Sequence, residues 1–312
     1  MRVINIKDKY EINELAFYAM GDLNFYRSQK VFERNAQLNP CFLTYNNLGY
    51  FYAEEGRWHY SKKIGEAKRL GIKYLKKAEK IERSYNCLMA IGDAYFDLKK
   101  YKAAIKYYSK ANNFSNNYIS FYNLGVCYYK RKKYFEASNF FKQALDNFGN
   151  VPTGVPTISK GKIFISYAFS VYQFDRNKFI KIVQQISPKE LEGYELDEFT
   201  LWYLSNDFDH AIDILPKMFE HWSVDTDVMA MVFDVLIYFD RKDEAIEHIN
   251  DKLESLEESS YNTRAEQRKL KKLISNAHYR EKVISKFYFA RYIFKDCYCI
   301  YEEQLTQQSE NN

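Results

Sequence analysis

The residue types that could ligate a metal or act as a nucleophile are few in this 312-residue chain. Its histidines are His59, His210, His221, His248 and His278, and its cysteines are Cys41, Cys87, Cys127, Cys297 and Cys299. Asp209 and His210 with His221 come nearest to a metal-binding set, yet their spacing matches no single helical face. Cys297 and Cys299 are two residues apart, so on a helix they point to different sides and do not chelate. There is no Cys-x-x-Cys pair, no His-Glu-x-x-His, no Gly-x-x-x-x-Gly-Lys-Ser/Thr phosphate loop and no Gly-x-Ser-x-Gly elbow. The expectation is a non-enzymatic protein without metal, cofactor or catalytic residues. Five scattered cysteines read as reduced thiols of an intracellular protein, placing it in the cytoplasm.

Charge supplies a second candidate chemistry. The chain is mildly basic, net +5, which is too little to indicate nucleic acid by itself. Locally the balance is sharper. Arg264, Arg268, Lys269, Lys271, Lys272 and Arg280, with Lys282 and Lys286, face only Glu266 and Glu281, a net +6. Just upstream, Asp251, Glu254, Glu257 and Glu258 form an acidic patch. The basic run reads either as a solvated helix paired with that neighbour, or as a docking surface for an acidic protein or a phosphate backbone. No uninterrupted apolar run occupies residues 1–20 and no segment is long and apolar enough to span a bilayer, so neither a secretory leader nor a membrane is expected.

The elements that must carry these residues are set by a repeat. Leu88, Ile91, Gly92, Tyr95, Ala104, Tyr108 and Ala111 recur as Phe121, Leu124, Gly125, Tyr128, Ala137, Phe141 and Ala144, each pair 33 residues apart. A fixed period of that size signals stacked helical units that bury a face only against their neighbours. The large residues fall at spacings of three and four, the stripe of an amphipathic helix. Gly92 and Gly125, with Ala104 and Ala137, are small where two helices must cross closely.

Seven matches at fixed spacing, twice in tandem, resemble the tetratricopeptide (TPR) repeat, a helix A, a tight turn and a helix B. The matches fall at family positions 4, 7, 8, 11, 20, 24 and 27. The resemblance implies an all-α solenoid of antiparallel hairpins that binds other proteins and rarely does chemistry. Residues 1–148 are read as the repeat array, clearest at 85–148. Glu11 to Pro40 is a degenerate first repeat, with Ile12, Leu15, Ala16 and Ala19 on helix A and Ser28, Phe32 and Asn35 on helix B. The second repeat has Tyr45, Leu48, Gly49 and Tyr52, then Gly71, Leu75 and Ala78. About ten extra residues separate its halves, in a polar stretch from Glu54 to Lys68. That stretch reads as a solvated helical extension, or as a partner-contacting protrusion carrying Trp58, His59 and Tyr60.

Residues 149–157 are a Gly- and Pro-rich connection. Residues 158–258 are read as degenerate hairpins: Lys162 to Phe174 with Lys178 to Ile186, Leu191 to Leu204 with Asp209 to Trp222, and Asp225 to Tyr238 with Lys242 to Leu256. Pro216 should kink its helix or mark its first turn, and Phe233, in the glycine slot, should open the packing of the third hairpin. Residues 259–305 hold the basic helix, Thr263 to Asn276, and a final helix, Tyr279 to Gln304. The latter's seam of Val283, Phe287, Ala290, Phe294, Cys297 and Tyr301 reads as a cap, or as a homodimer contact. Residues 306–312 read as a disordered tail.

In the resembled family, positions 2, 5, 6, 9, 12 and 13 of helix A face a groove that holds the partner. Here they include Asn47 and Tyr50, Asn86, Asp93 and Asp97, and Asn123 and Lys130. The basic carboxylate clamp of the chaperone-binding members is missing, since Lys130 is the lone cation among them. Asparagines at these positions are similar to those that hold a peptide backbone in bacterial peptide-pheromone sensors. Repeats starting near Glu11 leave no room for those sensors' N-terminal effector domain. With Asp93 and Asp97 against Lys130, the expected ligand is a neutral-to-basic peptide or protein segment, and nucleic acid is the alternative through the C-terminal cations.

Overall fold

The computed structural model describes residues 8–55, 64–149, 158–221, 224–258 and 263–285. Every regular element among them is helical, and the described residues fall into two compact units that meet in sequence at Ile158 and Ser159.

The first unit is four hairpins: α1 Lys9–Gly21 with α2 Phe25–Leu38, α3 Phe42–Tyr50 with α4 Ile64–Ile81, α5 Tyr85–Asp97 with α6 Tyr101–Phe114, and α7 Tyr118–Lys130 with α8 Tyr134–Asp146. Side chains cap the starts: Asp8 on α1, Asn24 on α2, Ser84 on α5 and Asn117 on α7 each accept from backbone N–H groups of the first turn. The turns repeat one construction. Leu23, Lys99 and Lys132 take a left-handed backbone with φ of 56°, 57° and 59°. The next residue donates back to the carbonyl five earlier, Asn24 to Ala19, Lys100 to Tyr95 and Lys133 to Tyr128. That is a Schellman closure made without glycine, and it places α1 and α2 in the same register as the clear repeats.

Close crossing explains the small residues. A Cβ on Gly92 would lie 2.5 Å from the Tyr108 ring, and one on Gly125 would lie 2.7 Å from the Phe141 ring. Ala104, Ala137, Tyr108 and Phe141 are wholly enclosed. The extended second repeat differs from expectation in one respect. A π-helical turn, Phe51–Glu55, follows α3, and α4 is 18 residues long. Lys68 in that helix is buried, not solvated: its Nζ donates to the Ala53 carbonyl at 2.7 Å and meets Asp97 at 2.6 Å. Trp58, His59 and Tyr60 lie outside the described residues.

The second unit holds α9 Lys160–Tyr172, α10 Arg176–Val183, a 3-10 turn Pro188–Leu191, α11 Glu195–Leu204, α12 Phe208–His221, α13 Thr226–Tyr238, α14 Lys242–Glu257, α15 Arg264–Ser275 and α16 Ala277–Ser285. Here α9, α11 and α13 pack side by side, and α16 packs on α13. The Schellman closure returns twice, with Asn206 at φ 62° and Asp240 at φ 59°, and with Asp207 donating to Trp202 and Arg241 to Leu236. These hairpins therefore keep the repeat register even where the residue pattern has faded. The helix expected from Leu191 starts only at Glu195, because Gly193 turns the chain at φ +83°. Pro216 sits well inside α12, not in its first turn. Phe233 is buried, and the Arg280 guanidinium lies 4.5 Å from its ring centroid. Only Val283 of the C-terminal seam falls within the described residues. Among those residues no helix is long and apolar enough to cross a membrane.

Candidate binding surfaces

The inner positions of the first unit are not the open amide row that their spacing suggests. Asn47 and Asn123 are fully buried, and Asn86 and Tyr50 are nearly so. Asn46 Nδ2 reaches Asn47 Oδ1 at a long 3.4 Å, while Asn47 Nδ2 has no hydrogen-bond partner. Asp93 is also fully buried and accepts from the Tyr108 hydroxyl at 2.5 Å. Asp97 is the ion-pair partner of Lys68. Both carboxylates thus hold the hairpins together, and the acidic groove expected from them is corrected accordingly. Burial pushes the Lys130 ammonium below its usual pKa.

The C-terminal cations separate into two sets. Arg264, Arg268, Lys269, Lys271 and Lys272 are exposed on α15. Among the described residues no ion pair joins them to Asp251, Glu254, Glu257 or Glu258. Arg280 does not belong with them. Its side chain is 11% exposed and 3.5 Å from Asp234, and its Nη1 donates to the Leu273 carbonyl at 2.6 Å. It pins α16 to α13.

A cleft of about 560 Å³ opens in the second unit. It is lined by Tyr172 of α9, Arg176 of α10, Tyr203 and Leu204 of α11, the turn residue Asn206, and Asp234 of α13. Glu281, Ile284 and Ser285 of α16 complete its lining. The Arg176 guanidinium lies 4.5 Å from the Tyr172 ring centroid, and its Nη2 donates to the Tyr172 hydroxyl at 2.7 Å. Tyr203 donates to Asp234 at 3.1 Å. Burial raises the Tyr203 phenol well above its usual range, with the Asp234 charge adding to it. Burial also raises the Asp234 carboxyl, against the opposing pull of Tyr203 and Arg280. The cleft therefore presents two aromatic faces, one cation and two acids, a lining suited to a short peptide segment.

Sequence reasoning missed this cleft, although a signal was available. Counted from the left-handed turn residues Asn206 and Asp240, Asp234 is at repeat position 9, and Tyr203 and Leu204 are at 12 and 13. These are groove positions implied by the family resemblance, in a unit whose residue pattern has lost the glycine marker of the earlier repeats. The histidines do other work. His210 bonds Asp207 at 2.8 Å and stacks on Trp202, and His248 stacks on Phe219. No group of three or more His, Cys, Asp or Glu among the described residues could hold a metal ion.

Residues 85–118 match the Tetratricopeptide repeat family. No curated protein matches the chain. Among solved structures, a tetratricopeptide repeat protein from Parabacteroides merdae superposes with a TM-score of 0.54 at 12% identity, covering 86% of this chain and 99% of its own. The apo form of the quorum sensor NprR from B. thuringiensis gives 0.51 at 15% identity, covering 85% of this chain and 80% of its own. At these identities the likeness is one of fold.

Proposed function

We propose that this chain, a tetratricopeptide-repeat protein, is a non-enzymatic adaptor or sensor that holds a protein or peptide segment against its A helices. The observation that carries this reading is the cleft of about 560 Å³, whose lining includes Tyr203, Leu204 and Asp234 at groove positions of α11 and α13. Asp234 and Glu281 favour a cationic or amide-rich segment there, while Tyr172 and Tyr203 supply apolar area. Selection of a random peptide display library on the full chain, followed by calorimetry with the enriched peptides, tests the proposal. Arg176→Ala and Glu281→Ala should each weaken binding about tenfold, as loss of a charge-assisted contact does. Unchanged affinity in both folded variants moves the site away from the cleft, with the exposed cations of α15 next in line.

A second reading rests on the exposed, unpaired cations of α15. They support docking of an acidic protein or a phosphate backbone. A steep loss of affinity with added salt would favour it.

A further inference from the structure

The outer faces of α2, α4 and α6 in the first unit and of α12 and α14 in the second carry opposite charge. Residues 64–146 contain 17 Lys and Arg against 7 Asp and Glu, and residues 195–258 contain 4 against 18. Those local balances of +10 and −14 both exceed the net +5 of the whole chain, which hides them.

The register set by the left-handed turns shows how the charges are ordered. Repeat positions 18, 22, 26 and 29 fall on the outward side of helix B. On α4 they are Arg69, Lys73, Lys77 and Lys80, and on α6 the first three are Lys102, Lys106 and Lys110. On α2, positions 22 and 26 are Lys30 and Arg34. No acid occupies any of these positions on the three helices. The acids begin at Asp146 on α8, whose other outward positions are uncharged, and they dominate on α12 and α14, while α10 of the same unit carries Arg176, Lys178 and Lys181 and no acid. On α12 these positions are Asp209, Asp213, Lys217 and Glu220, and on α14 they are Asp243, Glu247, Asp251 and Glu254.

Most of this charge is uncompensated. Lys110 is paired with Glu79 at 2.6 Å and Lys30 with Glu33 at 3.6 Å. The other seven cations of the basic face and all seven acids of α12 and α14 are exposed and have no ion pair among the described residues. Steps of four residues put successive charges about 6 Å apart along each helix. Because both faces use the same repeat positions, the two charge lattices share that spacing.

We propose that the basic face of α2, α4 and α6 in one copy docks on the acidic face of α12 and α14 in a second copy. The complement to each face is present in the same chain at matched spacing, and that match selects a second copy over an unrelated polyanion. Such a contact is head-to-tail, so it grows into chains or closes into rings. It is built from solvent-exposed pairs, each weak and screened within about 8 Å at physiological ionic strength. Association should accordingly be reversible and strongly dependent on salt.

Sedimentation equilibrium of the full chain is the test. At about 25 mM salt the average mass should rise with concentration above 37.3 kDa, and at about 500 mM it should return to that value. A variant with Lys73→Glu, Lys77→Glu and Lys106→Glu should stay monomeric at low salt, and so should one with Asp213→Lys, Asp243→Lys and Glu247→Lys. Mixed together, the two should associate again, because each then offers what the other lacks. Should a reversal variant fail to fold by circular dichroism, Lys106→Gln and Glu247→Gln replace it, each expected to weaken association severalfold. A wild-type chain that stays monomeric at low salt overturns the proposal, as does a mixture that fails to associate. If the wild type is monomeric yet retains a 20-nucleotide single-stranded DNA that the Lys-to-Glu variant releases, the basic face takes a polyanion instead of a second copy.

Discussion

The Tyr108 hydroxyl donates to Asp93 Oδ1 across 2.5 Å in the third repeat, and both side chains are wholly enclosed. The same tyrosine ring fills the space left by Gly92. One residue of helix B therefore fixes helix A twice, by packing against a missing side chain and by satisfying a buried carboxylate. Tyr108→Phe keeps the packing and removes the donor. A buried carboxylate deprived of one donor should cost about 1–3 kcal/mol, read by urea denaturation. A loss below about 0.5 kcal/mol would show that Asp93 does not depend on the phenol.

The glycine slot is tested separately in the fourth repeat. Gly125→Ala puts a methyl group about where Phe141 stands, 2.7 Å from its ring. Overpacking of this kind costs roughly 1–3 kcal/mol. Adding Phe141→Leu should recover part of the loss, since the clash and the ring are one interaction. Additive losses in the double variant would mean that the two residues do not compete for space. Ala104→Leu, at the small position of the preceding helix B, should destabilise by a similar amount.

The array was legible wherever small residues were required. Gly92, Gly125, Ala104 and Ala137 are forced by close crossing, so they reveal helix pairs and their register. In the second unit the slot is taken by Phe233, and register survives in the turns at Asn206 and Asp240, types that tolerate the left-handed backbone but also occur throughout polar loops, so alone they mark no register. The binding positions were harder to read for a different reason. Helical spacing places Asp93, Asp97 and Asn47 on the inner side of α5 and α3. It does not reveal that Tyr108 and Lys68 already engage the two acids, nor that the asparagine is enclosed. The cleft at Tyr203 and Asp234 depends on α16 lying against α13, a packing fixed by Arg280 and Phe233, which are distant in sequence.

Lys68 links the expanded repeat to its neighbour. It donates both to the Ala53 carbonyl in the π-helical turn and to Asp97 at the end of α5. Lys68→Met retains most of the apolar stem but leaves two acceptors without their cation. The expected cost is about 1–3 kcal/mol, because Asp97 keeps some solvent access and can rehydrate. Hydrogen exchange should show faster opening at residues 51–55 than elsewhere in the first unit. Uniform protection would assign Lys68 a packing role only.

Asp234 makes the second unit sensitive to pH. Burial lifts its carboxyl above the ordinary 3.8, more than Tyr203 and Arg280 lower it. A carboxyl raised in the folded state is easier to protonate there than in the unfolded chain. Its stabilising contribution is complete below the unfolded value and is lost as pH rises through the folded one. Asp234→Asn removes the titration while retaining an acceptor for the Tyr203 hydroxyl. Glu33, whose carboxyl burial would raise, is held low instead by its hydrogen bonds from Tyr52 and Gln29, so it contributes the opposite slope. Total stability against pH is therefore a poor readout, and the difference between wild type and variant is the useful one. Measured by denaturant titration across a pH series starting near 3.8, the stability of wild type relative to Asp234→Asn should decline as pH increases. A difference that stays constant, or grows with pH, would mean that the Arg280 contact outweighs burial and that Asp234 acts as an ordinary ion-pair partner.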